Sequence, residues 1–185
     1  MDTDENGVIN DDDRTMIGKG IPDWTFGLTL NFDWKGFDFS MLLQGQLGAQ
    51  AYNVSRRTDL YYINLPKNIL YRWTGEGSTN EYPRFAFNSA NENYRASDYW
   101  VEDASFLRAR NVQLGYTLPN SLTRIVAIQR LRLYVQAENL FTLTRYTGCD
   151  PEVTGGNSGY GTEVGIDRGV YPQNRTFTFG VNVNF

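Results

Sequence analysis

Between Trp24 and Trp34 the chain alternates without a break: Trp24, Phe26, Leu28, Leu30, Phe32 and Trp34 take one parity, and Thr25, Gly27, Thr29, Asn31 and Asp33 the other. A β-strand sends successive side chains to opposite faces, so this segment carries one wholly apolar face and one polar face. It is also long. At about 3.3 Å per residue it reaches roughly 33 Å, where globular strands usually stop after about 5–6 residues. Tilted by about 40°, such a strand covers roughly 25 Å along a membrane normal, the height of a transmembrane barrel's apolar band, with a tryptophan at each rim. A soluble sheet would accept the same alternation with its apolar face turned to a core.

Four further segments share the period. Phe37, Phe39, Met41, Leu43, Gly45 and Leu47 return after Gly36, with Asp38, Ser40, Gln44 and Gln46 opposite them, which reads as a tight hairpin. A third strand is expected over about Ser105 to Leu118, with Val112, Leu114, Tyr116 and Leu118 on its apolar side. Its first half places Arg108 and Arg110 in that same parity, which lipid would not tolerate at mid-depth. Either a β-bulge near Asn111 exchanges the faces, or the arginines lie above the bilayer. Beyond Pro119-Asn120-Ser121 and a helical turn reaching Ile128, Leu131, Leu133, Val135 and Ala137 oppose Arg132, Tyr134, Gln136 and Glu138. That strand breaks phase near Asn139-Leu140-Phe141. In the fifth, Phe177, Phe179, Val181, Val183 and Phe185 stand against Thr176, Thr178, Gly180, Asn182 and Asn184.

The connections alternate in length: Gly36 and residues 119–129 are short, residues 50–104 and 146–174 long. Membrane barrels keep short turns on the periplasmic side and long loops outside. If the last strand ends in the periplasm, both short connections face the periplasm, and both long ones and the stretch before Trp24 lie outside. The expected fold class is therefore all-β: an antiparallel transmembrane β-barrel segment of about five long strands ending at the C-terminus, with long extracellular loops. Residues 1–23 form an extracellular loop in this division, and 24–185 the barrel segment. The alternative is a soluble secreted glycan-binding β-sandwich with a structural calcium loop.

Composition agrees with strands. Aromatic residues make up 15% of the chain, with 12 Tyr, 11 Phe and 4 Trp, which favours strands and interfacial belts. The longest apolar run, Ile125-Val126-Ala127-Ile128, falls far short of the ~20 residues a membrane helix needs. Net charge is −4 without a basic cluster, which argues against nucleic acid. Histidine is absent, so Ser-His-Asp and Cys-His catalysis and His-ligated zinc are excluded. The carboxylates are scattered through loops, and no catalytic residue is expected. Cys149, the single cysteine, reads as a loop thiol that can form no internal disulfide. Met1-Asp2-Thr3-Asp4 has neither a positive nor an apolar signal region, so no export signal is expected here. Five strands are also too few to close a barrel whose smallest single-chain members have about eight. The sequence thus reads as a piece of a longer chain.

Two sets of residues suggest binding. Asp2 to Asp13 matches a twelve-residue calcium loop: Asp2, Asp4 and Asn6 supply side-chain oxygens, Gly7 the sharp turn, Val8 a backbone carbonyl, and Asp13 the closing carboxylate. Asp stands where a longer bidentate Glu is usual, and the alternative is a solvated acidic turn. Tyr61, Tyr62, Trp73, Tyr82, Tyr99 and Trp100 are flat aromatics in a long loop, suited to stacking on sugar rings or to packing the loop against itself.

Several phrases in order resemble the C-terminal part of SusC/RagA-type TonB-dependent outer-membrane transporters. They include Asp4-Glu5-Asn6-Gly7-Val8-Ile9-Asn10-Asp11-Asp12-Asp13-Arg14, Trp34-Lys35-Gly36-Phe37-Asp38, Ser97-Asp98-Tyr99-Trp100-Val101-Glu102-Asp103, Asn111-Val112-Gln113-Leu114-Gly115-Tyr116, Glu138-Asn139-Leu140-Phe141-Thr142 and Arg175-Thr176-Phe177-Thr178-Phe179-Gly180. The resemblance covers nearly the whole chain. It implies a large plugged barrel in the outer membrane that imports oligosaccharides or peptides, works with a SusD-like lipoprotein, and is driven by the TonB complex through parts outside these residues. It also implies that the Phe185-terminated strand is the signal read by the barrel-assembly machinery.

Overall fold

In the computed structural model, residues 5–8, 10–56, 64–65, 67–85, 93–153 and 164–185 are described. In chain order the strands are β1 Trp24–Trp34, β2 Phe37–Leu47, β3 Gln50–Asn53, β4 Val101–Asp103, β5 Phe106–Thr117, β6 Arg130–Glu138, β7 Thr142–Thr144, β8 Ile166–Asp167 and β9 Thr176–Asn184. The one-turn helix α1, Asn120–Thr123, continues into a 3-10 turn over Arg124–Val126. All five strands expected from the alternation are present. They form one antiparallel sheet in the order β1-β2-β5-β6-β9, with β7 beside the start of β5.

Register follows from the tight ends. β1 and β2 pair from Trp24↔Leu47 to Trp34↔Phe37, which leaves Lys35-Gly36 as a two-residue turn. Both turn residues have positive φ, 47° and 89°, the backbone whose twist matches that of the flanking strands. The apolar sets then fall in rows across the sheet. Leu30 lies opposite Met41, Met41 opposite Val112, Val112 opposite Ala137, and Ala137 opposite Phe177.

A bulge at Arg110 keeps that row continuous. Leu42 pairs with Asn111 but Leu43 pairs with Ala109, so Arg110 has no partner on β2 and the alternation of β5 shifts by one. Val112, Leu114 and Tyr116 therefore share a face with Ala109 and Leu107, while Arg108 turns to the polar face, where it is 2% exposed. Of the two alternatives for these arginines, the face-exchanging bulge is the one present. The phase break after Glu138 is real too. Asn139 takes φ 50°, its N–H donates to the Arg110 carbonyl, and β7 resumes at Thr142 opposite Arg108.

Among the described residues the sheet has no core of its own. Its apolar face is solvent-accessible from end to end, with Trp24 at 72%, Leu28 at 50% and Phe179 at 79% exposure. Among the described residues, the buried apolar cluster lies instead beyond the strand ends bearing the long connections. There Ala49, Ala51, Ala104, Tyr146 and Val153 pack together around a small second sheet. In that sheet β3 pairs antiparallel with β4 and parallel with β8. The segment before β1 is sewn onto it: the Gln50 N–H donates to the Lys19 carbonyl at 2.8 Å, and the Gln50 side chain accepts from the Lys19 N–H at 3.1 Å.

Two glycines let aromatic rings lie flat on the sheet. Gly45 faces Phe26, whose ring edge would sit 2.5 Å from an added Cβ, and Gly180 lies opposite and beneath the Tyr134 ring. Gly180→Val should evict Tyr134 from this seat and cost about 1–3 kcal/mol as overpacking does. Urea unfolding of the protein in detergent measures the loss, and Tyr134→Ala should abolish the sensitivity to Gly180→Val.

Candidate functional site

Polar chemistry gathers on the loops beyond the sheet and on the upper polar face that meets them. Arg108 leaves β5 two residues before the bulge and Arg110 at the bulge itself, and both reach into the connection after β7. Arg108 donates to the Asp150 carboxylate at 2.7 Å, to Glu152 at 3.1 Å and to the Thr142 hydroxyl at 2.9 Å. Arg110 donates to both Glu152 oxygens at 2.6 Å and to the Gln44 side-chain oxygen at 2.9 Å. Asp150 also accepts the backbone N–H groups of Glu152 and Gln173, so the connection is tied to β5 near both its ends. Burial pushes the Asp150 carboxyl up, but the Arg108 hydrogen bond and the two backbone donors together hold it below its ordinary value.

A second network holds the small sheet to the same loops. Glu102 on β4 accepts from Arg56 at 3.0 Å, the Asn53 amide at 3.1 Å, and both the N–H and hydroxyl of Thr147 at 2.9 Å. Burial raises this carboxyl, and these donors outweigh it and keep it ionised below the usual range. Beneath it the Tyr146 hydroxyl donates to Asp167 at 2.5 Å, and Asp167 accepts the N–H groups of Gly169 and Val170. Burial, with Asp167 second, drives the Tyr146 phenol far above its ordinary value, so it stays a neutral donor.

The sequence-predicted aromatics divide. Trp73, Tyr82 and Tyr99 converge on an open cavity of about 680 Å³. The Trp73 N–H donates to the Tyr82 carbonyl at 3.1 Å, which sets the two residues side by side. Tyr99 is braced on one side by the Arg56 guanidinium, 5.1 Å from its ring centre, and meets the edge of Trp100 at 5.0 Å. Burial pushes the Tyr99 phenol up against the opposing pull of Arg56. Trp100 is 5% exposed and its indole N–H is engaged by the Arg95 carbonyl at 3.1 Å, so it packs the loop. Tyr61 and Tyr62 lie outside the described residues. A neighbouring hollow of about 530 Å³ shares Glu81 and Tyr82 with the first and is bounded by Arg56, Asn68, Glu102 and Arg145. Nothing in the local sequence marked Arg56 as the brace, because its partners are far along the chain.

Of the calcium-loop residues, Asp2 and Asp4 also lie outside the described set. Asn6 turns its side-chain oxygen onto the Val8 N–H at 2.8 Å, and Asp13 caps the Asn10 N–H at 2.8 Å within a 3-10 turn over Asp11–Asp13. Among the described residues, no group of three or more Asp, Glu, Cys or His side chains is placed to hold a metal.

The chain is 34% identical over its whole length to TonB-dependent receptor P3 of Formosa agariphila, and covers 18% of that protein. It is 30% identical, again over its whole length, to TonB-dependent receptor SusC of Bacteroides thetaiotaomicron, of which it covers 17%. Its fold superposes on the solved RagAB peptide importer in the closed-closed state with a TM-score of 0.69 and 27% identity, over 92% of this chain and 18% of that one. These likenesses support a fragment of a SusC/RagA-type TonB-dependent receptor. The chain spans about a fifth of the length of these curated relatives. No protein-family model matches it.

In this receptor segment the arginine cluster gives a direct test. Arg108→Met leaves Asp150 buried without its cation and should cost about 3–5 kcal/mol, with much of that recovered by Asp150→Asn in the same chain. Amide hydrogen exchange across residues 145–153 reports the loosening. Because Asp150 titrates below its ordinary 3.8 when folded, its stabilisation is complete above that value. It is lost as pH falls through the lower, folded value. The same amides should therefore lose protection in acid in the native receptor, and Asp150→Asn should remove that step.

Proposed function

We propose that this chain is the C-terminal barrel portion of a TonB-dependent importer in the outer membrane, which takes up oligosaccharides or peptides with a SusD-like lipoprotein. The observation that carries the reading is the exposed apolar face. Phe26, Leu28, Leu30, Phe179 and Val181 open outward in register, while Thr29, Ser40, Gln113, Gln136 and Thr178 line the other side. In water each such large side chain forfeits about 1.5–3 kcal/mol relative to burial, and lipid removes that cost. A soluble sandwich needs a second sheet on this face, and among the described residues none lies there.

In this reading β1, β2, β5, β6 and β9 cross the bilayer. The Lys35-Gly36 turn and the α1 connection face the periplasm, where the C-terminus also lies. The connections Gly48 to Ser105 and Arg145 to Arg175 face outward and meet ligand and lipoprotein. The TonB complex acts through parts of the receptor outside these residues. The chemistry is binding and passage, without bond-making.

Charge placed by parity tests the reading in the complete receptor. Leu30→Arg, near the middle of β1 on the apolar face, should cost about 2–4 kcal/mol and sharply reduce assembled protein in outer-membrane fractions. Thr29→Arg, one residue away on the polar face, should assemble close to normally. Equal tolerance of the two would refute the lipid-facing assignment.

We also propose calcium for the Asp2–Asp13 loop, on the spacing of its oxygen ligands. Calcium should protect this loop from proteolysis in the intact receptor, and Asp13→Ala should remove the protection. Cleavage indifferent to calcium would show a plain acidic turn.

A further inference from the structure

We infer that the connection between β5 and β6 is an interfacial anchor: Leu122 and Ile125 seat in the headgroup layer of the periplasmic leaflet, and Arg124 between them takes the phosphate of an anionic phospholipid. This goes beyond the import reading and rests on its lipid-facing assignment of the sheet.

The connection is longer than its task requires. At the same end of the sheet, Lys35-Gly36 joins two antiparallel neighbours with two residues, and the Thr117 N–H donates to the Gly36 carbonyl at 2.7 Å, which sets the two turns side by side. From Leu118 to Gln129 the chain instead makes α1 and the 3-10 turn over Arg124–Val126, and it holds large apolar side chains away from the protein. Leu122 is 58% exposed and Ile125 81%. Backbone hydrogen bonds fasten the turn in that posture. The Leu122 N–H donates to the Pro119 carbonyl at 3.0 Å, the Ile128 N–H to Thr123 at 3.1 Å, and the Gln129 N–H to Asn184 at the end of β9 at 2.9 Å. Thr123 is buried, and Ala127 closes the turn at φ 57°.

Polar and apolar residues of the connection divide. Asn120 and Gln129 border an open hollow of about 810 Å³, which they share with Asp33, Asp38, Arg130 and Arg132 of the polar sheet face and with the hairpin end from Trp34 to Phe37. Leu122 and Ile125 do not border it. They follow instead from the lower edge of the apolar face, where the Phe37 and Tyr116 rings lie 4.5 Å apart, the Leu118 N–H meets the Leu131 carbonyl, and Leu131 lies opposite Val183. Aromatic residues mark the headgroup level of a membrane barrel, so the turn begins where headgroups do. Charge matches that place. Arg132 takes Asp38 at this end, and among the described residues no carboxylate pairs with Arg124, or with Lys35, which stands over the Trp34 ring at 5.0 Å. A guanidinium offers a phosphate paired donors. Two apolar side chains make too small a patch for a protein partner, whose interface covers about 1,000 Å² or more, but beside a lipid-facing band they extend a contact already made.

The test uses the complete receptor in bilayers of phosphatidylcholine, with and without phosphatidylglycerol. Every native cysteine, Cys149 included, is replaced by serine. A nitroxide is then attached at Leu122→Cys, Ile125→Cys, Gln129→Cys or, as the mid-sheet reference, Leu30→Cys, and only receptor that keeps the faster gel migration of the folded barrel is measured. Relative access of oxygen and of a water-soluble nickel chelate reads depth. The oxygen-to-chelate ratio should be severalfold higher at 122 and 125 than at 129, and phosphatidylglycerol should raise it about twofold further. Arg124→Gln should remove that rise, and Arg124→Lys should keep most of it. Labels at 122 and 125 open to the chelate, labels shielded from both reagents by a covering protein segment, or a ratio indifferent to phosphatidylglycerol or to Arg124→Gln would overturn the inference. If the Leu30 label is open to oxygen in any of those cases, the anchor is lost and the lipid-facing assignment stands. A Leu30 label open to the chelate removes the assignment beneath it.

Discussion

An apolar sheet face this wide has to be covered by something other than water, and every other feature of the chain is arranged around that requirement. Five strands of 9 to 12 residues give that face its height. Among the described residues the buried apolar cluster sits in the loops, and no second layer packs on the sheet. Backbone groups inside the sheet are satisfied laterally, so the apolar side chains can stand in hydrocarbon without exposing a peptide group to it.

The bulge at Arg110 reconciles that face with charge. A regular strand from Phe106 to Thr117 could not carry both Arg108 and Val112 where they belong, since they share a parity. One unpaired residue turns the second half of β5 over, so the upper half presents guanidinium groups to the loops and the lower half presents aliphatic groups outward. The break at Asn139 on the neighbouring strand follows at the same height, its N–H bonded to the bulged residue's carbonyl. The irregularities of the two strands are one feature spread over two chain segments, and the loop bearing Asp150 and Glu152 is built on it.

The sheet was legible because period two is written residue by residue. β1, β2, β6 and β9 could be read from parity, as could a tight turn at Gly36 and the fact that β5 and β6 lose phase, while the part of Lys35 in that turn shows only in its positive φ. Which of two causes disturbed β5 was not legible, because parity records that a shift occurs and not whether a bulge or a membrane boundary makes it. The loops were harder still. Arg108 meets Asp150, and Arg56 meets Glu102, across separations where the chain has no local signal of contact. Trp100 and Tyr99 are adjacent and chemically alike as flat platforms, yet Trp100 is buried with its indole N–H on the carbonyl of Arg95, five residues earlier, while Tyr99 faces the cavity.

The two-residue turn at Lys35-Gly36 bears on how such a protein diversifies. Both of its positions are committed to positive φ, so that end of the hairpin has almost no room for insertion or for a new side chain to reach out. At the opposite end, the described residues of 48–105 and 145–175 build the small β4-β3-β8 sheet and its ion-pair networks, outside the ladder of the long strands. New loop surface can therefore accumulate at one rim while the wall below keeps its register, residue against residue, from Trp24–Leu47 to Trp34–Phe37.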